Sequence, residues 1–400
     1  MSQELWDDWL PGVLSKRQVQ QLIEHDFIRN TSSDPEDFGY SSLDLHIDDE
    51  AYELSACVKP FGRAFRRHLL KQKLAKKFQP EADGSYLLKC RHIYLFKIME
   101  RIPDFDKTTP IHGSATAKSS VGRMDVLARL IVDGMDEYEG FVPSKVRGGD
   151  MFLEITPMTF NVRVKPGIPL TQLRLYKGPQ KDSLIQGDTL LATVFEDADP
   201  DAGASLSVDL SHDQVSGTGV SAFSASLQDP DSAAAIDLWK KPEDQRPKPW
   251  DYWRFERVDE NNRLRILTNR FYIIRSREKI HLPKGIAVYC RASDETIGEM
   301  RIHYAGFVHP FFGYRRPDGK RGTPLIFEVR GHDIDVSLMD REKMARLEFY
   351  RMSEDAEEPT TQSAVKAKGS YDTQTLQLSG FFTGWPKEAE VDTDGSVRPK

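Results

Sequence analysis

Three short sequence patterns occur twice along the chain, in the same order and at similar spacing. An internal repeat on this scale predicts two copies of one domain, and 400 residues are enough for two hydrophobic cores. We therefore predict a duplicated domain that divides into residues 1–195 and 196–400, with the acidic, turn-rich segment Glu196–Gly203 at the junction. The paired patterns are residues 41–47 with 205–211, 118–123 with 291–296, and 152–156 with 326–330.

Most of the chain consists of short apolar runs bounded by Gly, Pro and Asp, a pattern typical of β-strands joined by turns. Ser15 with Gln18 forms a capping-box pattern and predicts a helix, and a second helix is predicted over Phe61–Phe78. Many strands and few helices indicate a mainly β fold of the sandwich, barrel or jelly-roll kind. The predicted strands include Tyr86–Cys90, Ile93–Ile98, Met151–Ile155, Phe160–Val164 and Leu173–Tyr176.

Charge and cysteine content narrow the possible partners and compartment. A net charge of −7 disfavours general nucleic-acid binding, although a local group of Lys and Arg can still bind a triphosphate. No apolar run is long enough to cross a membrane, and the acidic N-terminus is unlike a signal peptide. Cys57, Cys90 and Cys290 are far apart and form no CxxC pair. We therefore expect a cytoplasmic protein with neither a disulfide framework nor a thiolate zinc site.

Hydroxyl and basic side chains converge in the segment Lys118-Ser119-Ser120-Val-Gly-Arg123. Two hydroxyls, two cations and the backbone N–H groups of one turn can bind a triphosphate through charge-assisted hydrogen bonds. The alternative interpretation is a solvated polar turn. The partner segment in the C-terminal half carries Asp294 and Glu295, which would repel a phosphate, so that copy is interpreted as degenerate.

Glu328 lies within an apolar run, Leu325-Ile-Phe-Glu-Val, where burial would raise its pKa into the range useful for proton transfer. The alternative is an edge-strand Glu that faces solvent by alternation. Glu154, at the matching position of the N-terminal half, presents the same two possibilities. We favour Glu328, because only the C-terminal half contains the segment His309-Pro-Phe-Phe-Gly313 upstream of the acid.

Taken together, these motifs resemble those of the dCTP deaminase/dUTPase superfamily, in the long, duplicated form of bacterial dCTP deaminases. Ser41-Ser-Leu-Asp-Leu is similar to the family's Ser-Val-Asp-Leu strand, and residues 118–124 are similar to its phosphate motif. Residues 305–313 resemble the pyrimidine-binding hairpin, and Tyr371-Asp-Thr-Gln374 resembles the C-terminal lid. The resemblance implies two tandem dUTPase-like β-barrel or jelly-roll domains. The first would carry the phosphate motif, and the second the base pocket, the catalytic Glu and the lid.

The activity implied by the resemblance is hydrolytic deamination of dCTP to dUTP and ammonia, for dUTP and dTTP biosynthesis. Glu328 would be general base and acid, and Mg²⁺ would arrive with the triphosphate. A zinc mechanism is not expected, because the H-x-E…P-C-x-x-C signature is missing from the sequence. We also expect a homo-oligomer, with dTTP as a candidate inhibitor. The substrate-binding residues implied are Lys118, Ser119, Ser120, Arg123, Ala305, His309, Tyr371 and Gln374.

Three departures from the family pattern keep other functions open. Lys118 stands where Arg is usual, His309 replaces an Asp that binds the sugar, and residues 314–322 lengthen the hairpin. A dUTPase, a bifunctional deaminase/dUTPase and a non-catalytic nucleotide-binding protein are therefore the alternatives. Because the phosphate motif and the base pocket lie in different halves, we predict one composite site for each pair of halves. The sequence leaves open whether those halves belong to one chain or to two.

Overall fold

The structure is a computed structural model that describes residues 4–62, 64–103, 108–147, 149–196, 203–292, 300–303, 306–314, 322–358 and 375–400. Its regular structure is mainly β, as predicted. The α-helices are α1 (Lys16–Glu24), α2 (Phe65–Lys71), α3 (Ser119–Gly122) and α4 (Asp188–Val194). Single 3-10 turns lie at Pro35–Asp37, Pro143–Lys145, Gln180–Ser183, Glu243–Gln245 and Pro249–Asp251. No helix of the described residues is long and apolar enough to cross a membrane.

The described strands before residue 195 are β1 (Gly12–Val13), β2 (Leu43–Leu54), β3 (Ala75–Lys77), β4 (Tyr86–Leu88), β5 (Ile93–Ile98), β6 (Ile111–Ala117), β7 (Val126–Val132), β8 (Gly140–Phe141), β9 (Met151–Pro157), β10 (Val162–Val164), β11 (Pro169–Lys177) and β12 (Leu184–Ile185). The first large sheet has the order β7-β9-β5-β2-β11-β6-β8 with antiparallel neighbours, and β1 and β3 add to β11 and β2. β4 and β10 pair with each other in a separate small sheet.

The later strands are β13 (Ser205–Asp209), β14 (Asp213–Val215), β15 (Thr218–Val220), β16 (Ala222–Ala225), β17 (Ile236–Asp237), β18 (Trp253–Glu256), β19 (Arg263–Ile266), β20 (Phe271–Ile280), β21 (Ile286–Ala292), β22 (Met300–His303), β23 (Phe307–Val308), β24 (Thr323–Gly331), β25 (Val336–Met339), β26 (Lys343–Arg351), β27 (Ala389–Val391) and β28 (Val397–Pro399). The second large sheet contains the order β22-β24-β20-β13-β26-β21-β23, and β16 and β18 extend it beside β20. β17 pairs with β10, and β14 with β15, β19 with β25 and β27 with β28 form separate two-stranded sheets.

The two sheets share one connectivity. Seven strands of the first sheet have a counterpart in the second, and both sets follow the same chain order. The strands β2, β5, β6, β7, β8, β9 and β11 correspond to β13, β20, β21, β22, β23, β24 and β26 respectively. Equivalent strands also meet where the sheets touch, since Tyr176 of β11 packs edge-to-face on Tyr350 of β26, with ring centroids 5.9 Å apart. β6 of the first sheet therefore corresponds to β21, and β9 to β24.

Each large sheet encloses an apolar core, but the chain crosses between the cores more than once. The core of the first sheet includes Phe223 and Trp253 from the C-terminal half. Conversely, β12 pairs with β26, and Val194 at the end of α4 packs in the second core. The predicted boundary at residue 195 stays a prediction, and most of the predicted junction, residues 197–202, lies outside the described residues.

The two predicted helices have different outcomes. α1 is confirmed, with the capping box formed by Ser15 and Gln18. The helix predicted over Phe61–Phe78 is wrong in length, because α2 ends at Lys71 and the chain continues into β3. Lys73 has a φ of +57°, a left-handed conformation that ends the helical path, and Ala75–Lys77 then pairs with the edge of β2. Pairing with an open strand therefore prevails over the helical propensity of this Lys- and Leu-rich segment.

Candidate active site

A cavity of about 260 Å³ lies between the two sheets. The N-terminal half contributes the end of β6, the turn of α3 and the segment that leads into β2. The C-terminal half contributes β23, the residues after it and the middle of β24. The cavity is thus built by both halves of a single chain. Its lining includes Asp44, Lys118, Ser119, Gly122, Arg123, Gln172, Cys290, Arg291, Phe307, His309, Phe312 and Glu328.

The predicted phosphate motif forms the turn between β6 and β7, and α3 is the single helical turn within it. Lys118 forms an ion pair with Asp44 of β2, and Ser119 lines the cavity. Ser120 lines a neighbouring cavity of about 760 Å³ instead, and its carbonyl accepts a 2.8 Å hydrogen bond from the Ser379 hydroxyl. The two serines of the motif therefore line two adjoining cavities, and Lys118 and Asp44 line both of them.

Glu328 projects from the middle of β24 into the wall of the cavity and is only 5% exposed. Its carboxyl lies directly on Gly122: a Cβ added to that glycine would stand 2.4 Å from Oε2. Burial raises the pKa of the Glu328 carboxyl well above its usual range, opposed by the charge of Arg123 and reinforced by that of Asp125. The solvent-facing alternative for Glu328 is therefore wrong, and the carboxyl holds its proton at a higher pH than an ordinary Glu.

His309 is fixed by a chain of polar contacts that crosses between the halves. The buried Arg174 donates to the carbonyls of Val288 (2.9 Å) and Val308 (3.3 Å) and to the Ser41 hydroxyl (3.3 Å). Ser41 in turn lies 3.2 Å from Nδ1 of His309. Burial, with the charges of Arg174 and Lys118, lowers the pKa of His309 to about 3, so the ring is neutral. The neutral ring has one N–H donor and one acceptor nitrogen, and Nδ1 is the nitrogen within hydrogen-bond distance of Ser41.

The predicted lid, residues 371–374 with Tyr371 and Gln374, lies outside the described residues, as does Ala305 of the predicted base pocket. The chain that follows the lid covers the phosphate turn, since Arg123 donates to the carbonyl of Gln377 at 3.4 Å. Leu376 and Leu378 anchor this stretch in the first core.

Glu154 occupies the position on β9 that corresponds to Glu328 on β24, but its surroundings differ. The carboxylate is 1% exposed and bonds Arg129 through Oε1, while the Tyr138 hydroxyl donates to Oε2 at 3.3 Å. The thiol of Cys57 lies 3.6 Å from Oε1. Both oxygens of Glu154 are thus already bonded within the protein, and the solvent-facing alternative is wrong here as well.

Sequence reasoning assigned no role to several residues that shape the cavity. Asp44 and Ser41 belong to a motif quoted for its family resemblance alone, and Gly122 lies inside the phosphate motif without a stated function. Arg174 is part of the strand run Leu-Arg-Leu-Tyr, where a buried Arg is a recognisable anomaly. Among the described residues, no group of three His, Cys, Asp or Glu side chains is arranged to hold a metal ion.

The chain matches two family models that together cover most of its length. The model described as "2'-deoxycytidine 5'-triphosphate deaminase (DCD) N-terminal domain" matches residues 10–179, and that of the C-terminal domain matches residues 179–382. Among solved structures, the chain is similar to the "Crystal structure of 2'-deoxycytidine 5'-triphosphate deaminase from Agrobacterium tumefaciens". The identity is 26%, the TM-score 0.76, and the match covers 87% of this chain and 97% of that chain. No curated protein sequence matches.

Proposed function

The chain belongs to the dCTP deaminase family of hydrolytic deaminases, and we propose that it converts dCTP to dUTP and ammonia with Glu328 as general acid and base. The observation that carries this proposal is the position of one buried carboxyl against the phosphate turn. The carboxyl of Glu328 lies on Gly122, and Ser119, Arg123 and His309 line the same cavity. An acid with a raised pKa beside a triphosphate anchor is the combination that deamination of a nucleotide base needs.

The raised pKa of Glu328 sets the order of the proton transfers. The protonated carboxyl first gives its proton to N3 of cytosine, which makes C4 more electrophilic. The resulting carboxylate then takes a proton from water as the water oxygen bonds to C4. Glu328 next passes that proton to the amino group, the C4–N bond breaks and ammonia leaves. The new C4 hydroxyl returns its proton to Glu328, so the carboxyl ends protonated, as it began.

The phosphate turn would bind the triphosphate through Lys118, Ser119, Ser120 and Arg123. Magnesium would neutralise part of the phosphate charge and be held mainly by phosphate oxygens. Asp44, which lines the cavity, is already paired with Lys118, which fits an ion carried by the substrate. Lys118 must therefore exchange Asp44 for phosphate, or share itself between them, when the nucleotide binds.

His309 would contact the deoxyribose from the opposite wall of the cavity. Its neutral ring has one N–H donor and one acceptor nitrogen, where the family's Asp would present acceptors alone. A sugar hydroxyl can accept from a donor as well as donate to a carboxylate, so the replacement remains compatible with a nucleoside. Tyr371 and Gln374 would close the site as a lid.

Product analysis tests the proposal. Purified protein is stripped with a chelator, resupplied with Mg²⁺ and incubated with dCTP, and dUTP and ammonia are quantified. We expect both products from the wild type and neither from a folded Glu328→Gln variant. Glu154→Gln is the matched control, because it changes the corresponding acid of the other sheet and should keep ammonia release.

Other outcomes would redirect the proposal. Folded wild-type protein that releases no ammonia would exclude deamination, and binding of dCTP without turnover would favour a nucleotide-binding role. Activity that returns only when zinc is added would refute the zinc-free mechanism. Hydrolysis of dUTP by the same preparation would identify a bifunctional enzyme. We also propose that the chain arose by tandem duplication, is cytoplasmic, forms a homo-oligomer and is inhibited by dTTP. Gel filtration tests the oligomer, and activity assays with added dTTP test the inhibition.

A further inference from the structure

A buried ion pair joins the segment after the phosphate turn to the strand that carries Glu328. Arg330 of β24 binds Asp125, and their side chains are 3% and 0% exposed. Asp125 comes from the N-terminal half and Arg330 from the C-terminal half. Removing two charges from water is costly, and a pair in this position often serves to fix a register between elements.

Neighbouring groups hold both members of the pair in one orientation. The Thr159 hydroxyl donates to Oδ2 of Asp125 at 2.5 Å and accepts from Nη1 of Arg330 at 2.9 Å. The second arm of Arg330 donates to the carbonyl of Asn269 at 3.1 Å. Asp125 has a φ of +55°, a left-handed conformation, and its backbone carbonyl accepts from Met158 N–H at 2.9 Å. Side chain and backbone of Asp125 are therefore both fixed.

The pair and the acid occupy the same face of one strand. Side chains alternate along a strand, so Arg330 and Glu328 project to the same side of β24. The phosphate turn lies along that side: Gly122 meets Glu328, and Asp125 meets Arg330. The N–H of Asp125 also donates to the carbonyl of Gly122 at 2.8 Å. A displacement of Asp125 would consequently be passed to the glycine on which the carboxyl rests.

We propose that the Asp125–Arg330 pair is a positioning element that clamps the phosphate turn to β24 and so sets the distance between the triphosphate anchor and Glu328. This inference rests on the proposed function, because it assigns to the pair a role in that reaction. Asp125 and Arg330 neither line the cavity nor touch the reacting atoms in this assignment, and act through Gly122 and Glu328.

The same arrangement gives the pair an electrostatic effect on the acid. Among the described side chains, Glu328 faces the charges of Arg123 and Asp125 on the turn and the thiol of Cys290 on β21. The charge of Asp125 raises the pKa of Glu328. Asp125→Asn removes this charge and leaves the cation of Arg330 unbalanced, and both changes lower the pKa of Glu328. The Glu328 carboxyl of this variant would therefore lose its proton at a lower pH than in the wild type.

Two measurements test the proposal, and the first does not depend on turnover. Difference infrared spectroscopy follows the protonated carboxyl band of Glu328 against pH, with the band assigned by its loss in Glu328→Gln. We expect the midpoint to move to lower pH in Asp125→Asn and to stay in place in Thr159→Val. The latter variant removes the shared hydroxyl but keeps both charges, and is the matched control. An unmoved midpoint in folded Asp125→Asn would refute the electrostatic part.

The second measurement is the kinetic effect of loosening the clamp. Arg330→Lys keeps the charge but loses the two-armed guanidinium, so it tests position if Asp125→Asn fails to fold. A misplacement of about 1 Å typically costs about 100-fold in rate, so kcat should fall by about that factor with KM changed much less. Wild-type kcat in Arg330→Lys would overturn the positioning role. A wild type that never deaminates dCTP would instead refute the proposed function, and the infrared titration would still decide the coupling.

Discussion

Replacing Gly122 by Ala should disable the catalytic carboxyl while leaving the chain folded. The added Cβ would lie 2.4 Å from Oε2, 3.0 Å from Cδ and 3.1 Å from Oε1 of Glu328. Gly122 ends the helical turn α3 and does not have a positive φ, so Ala is compatible with the backbone. The collision is therefore confined to the carboxyl group of one side chain from the other half.

The size of the effect follows from these distances. Ordinary van der Waals contact with a Cβ begins at 3.4 Å, and the Cβ added by Gly122→Ala would stand 2.4 Å from the position that Oε2 of Glu328 now occupies. The Oε2 atom must therefore move away by about 1 Å. A shift of this size in a reacting group costs about 100-fold in rate, or about 2.7 kcal/mol of activation free energy. Overpacking costs about 1–3 kcal/mol of folding stability, and Ala in place of Gly in a helix returns about 1 kcal/mol. The free energy of unfolding should thus change by no more than about 2 kcal/mol.

Steady-state kinetics with dCTP measure the loss of activity in Gly122→Ala, and thermal unfolding shows whether the variant remains folded. We expect kcat to fall about 100-fold in Gly122→Ala, with a much smaller change in KM. Gly380→Ala is the control, because a Cβ there meets nothing within 4 Å and the backbone has no positive φ. In a Glu328→Asp background, whose carboxyl is one methylene shorter, the same change at Gly122 should cost much less. Full wild-type kcat in folded Gly122→Ala would refute the placement of the carboxyl.

Three further predictions concern single side chains of the cavity. Glu328→Gln should be stabilised relative to wild type at pH 8 more than at pH 5, measured as the difference in Tm. The folded pKa of Glu328 is raised, so wild-type stability falls as pH rises above the ordinary Glu value of 4.5; a constant difference would contradict this. Lys118→Met should raise KM for dCTP about 10- to 100-fold through the loss of one charge-assisted bond, with a smaller effect on kcat in initial-rate assays. His309→Phe should raise KM without moving either limb of the pH–rate profile between pH 5 and 9, because His309 is already neutral above about pH 3; a moved limb would show that His309 titrates.

Local sequence signals were sufficient for much of the fold. The capping box at Ser15 predicted α1, and strand runs such as Ile93–Ile98 match the structure because alternation and turn residues act over a few neighbours. The segment Phe61–Phe78 was assigned too much helix, because its propensity carries no information about the open edge of β2 that captures Ala75–Lys77. Pairing of this kind is a tertiary effect.

The internal repeat also shows that local sequence does not determine strand register. The patterns at residues 41–47 and 205–211 lie on or beside equivalent strands, yet their similar letters are not in register. The ladder of β2 with β11 shifts register between Leu45 and His46, and the ladder of β13 with β26 shifts between Leu206 and Ser207. The backbone N–H groups of His46 and Ser207 donate to the carboxylates of Glu100 and Glu278 respectively. These shared contacts align His46 with Ser207, which a comparison of letters alone does not reveal.

Within the site, ordered motifs pointed to Lys118, Arg123 and Glu328, which the structure brings to one cavity. The Asp125–Arg330 pair left no comparable signal in the sequence. Its members are separated by 205 positions and belong to no recognised motif, so only the folded chain shows that they meet.

The contrast between Glu154 and Glu328 shows how one connectivity can place two equivalent acids in different surroundings. Both residues occupy the same ladder position, but the strand beside Glu154 presents Arg129, whereas His303 is the ladder partner of Glu328. Arg129 and the Tyr138 hydroxyl bond both oxygens of Glu154, which leaves that carboxylate no open side for a water or a base. Glu328 instead rests on a glycine in the wall of a cavity, where burial keeps its proton. Glu154 is bonded by Arg129 and Tyr138 of its own half, whereas Glu328 meets Gly122 of the other half. These different neighbours decide which of the two equivalent positions is suited to proton transfer.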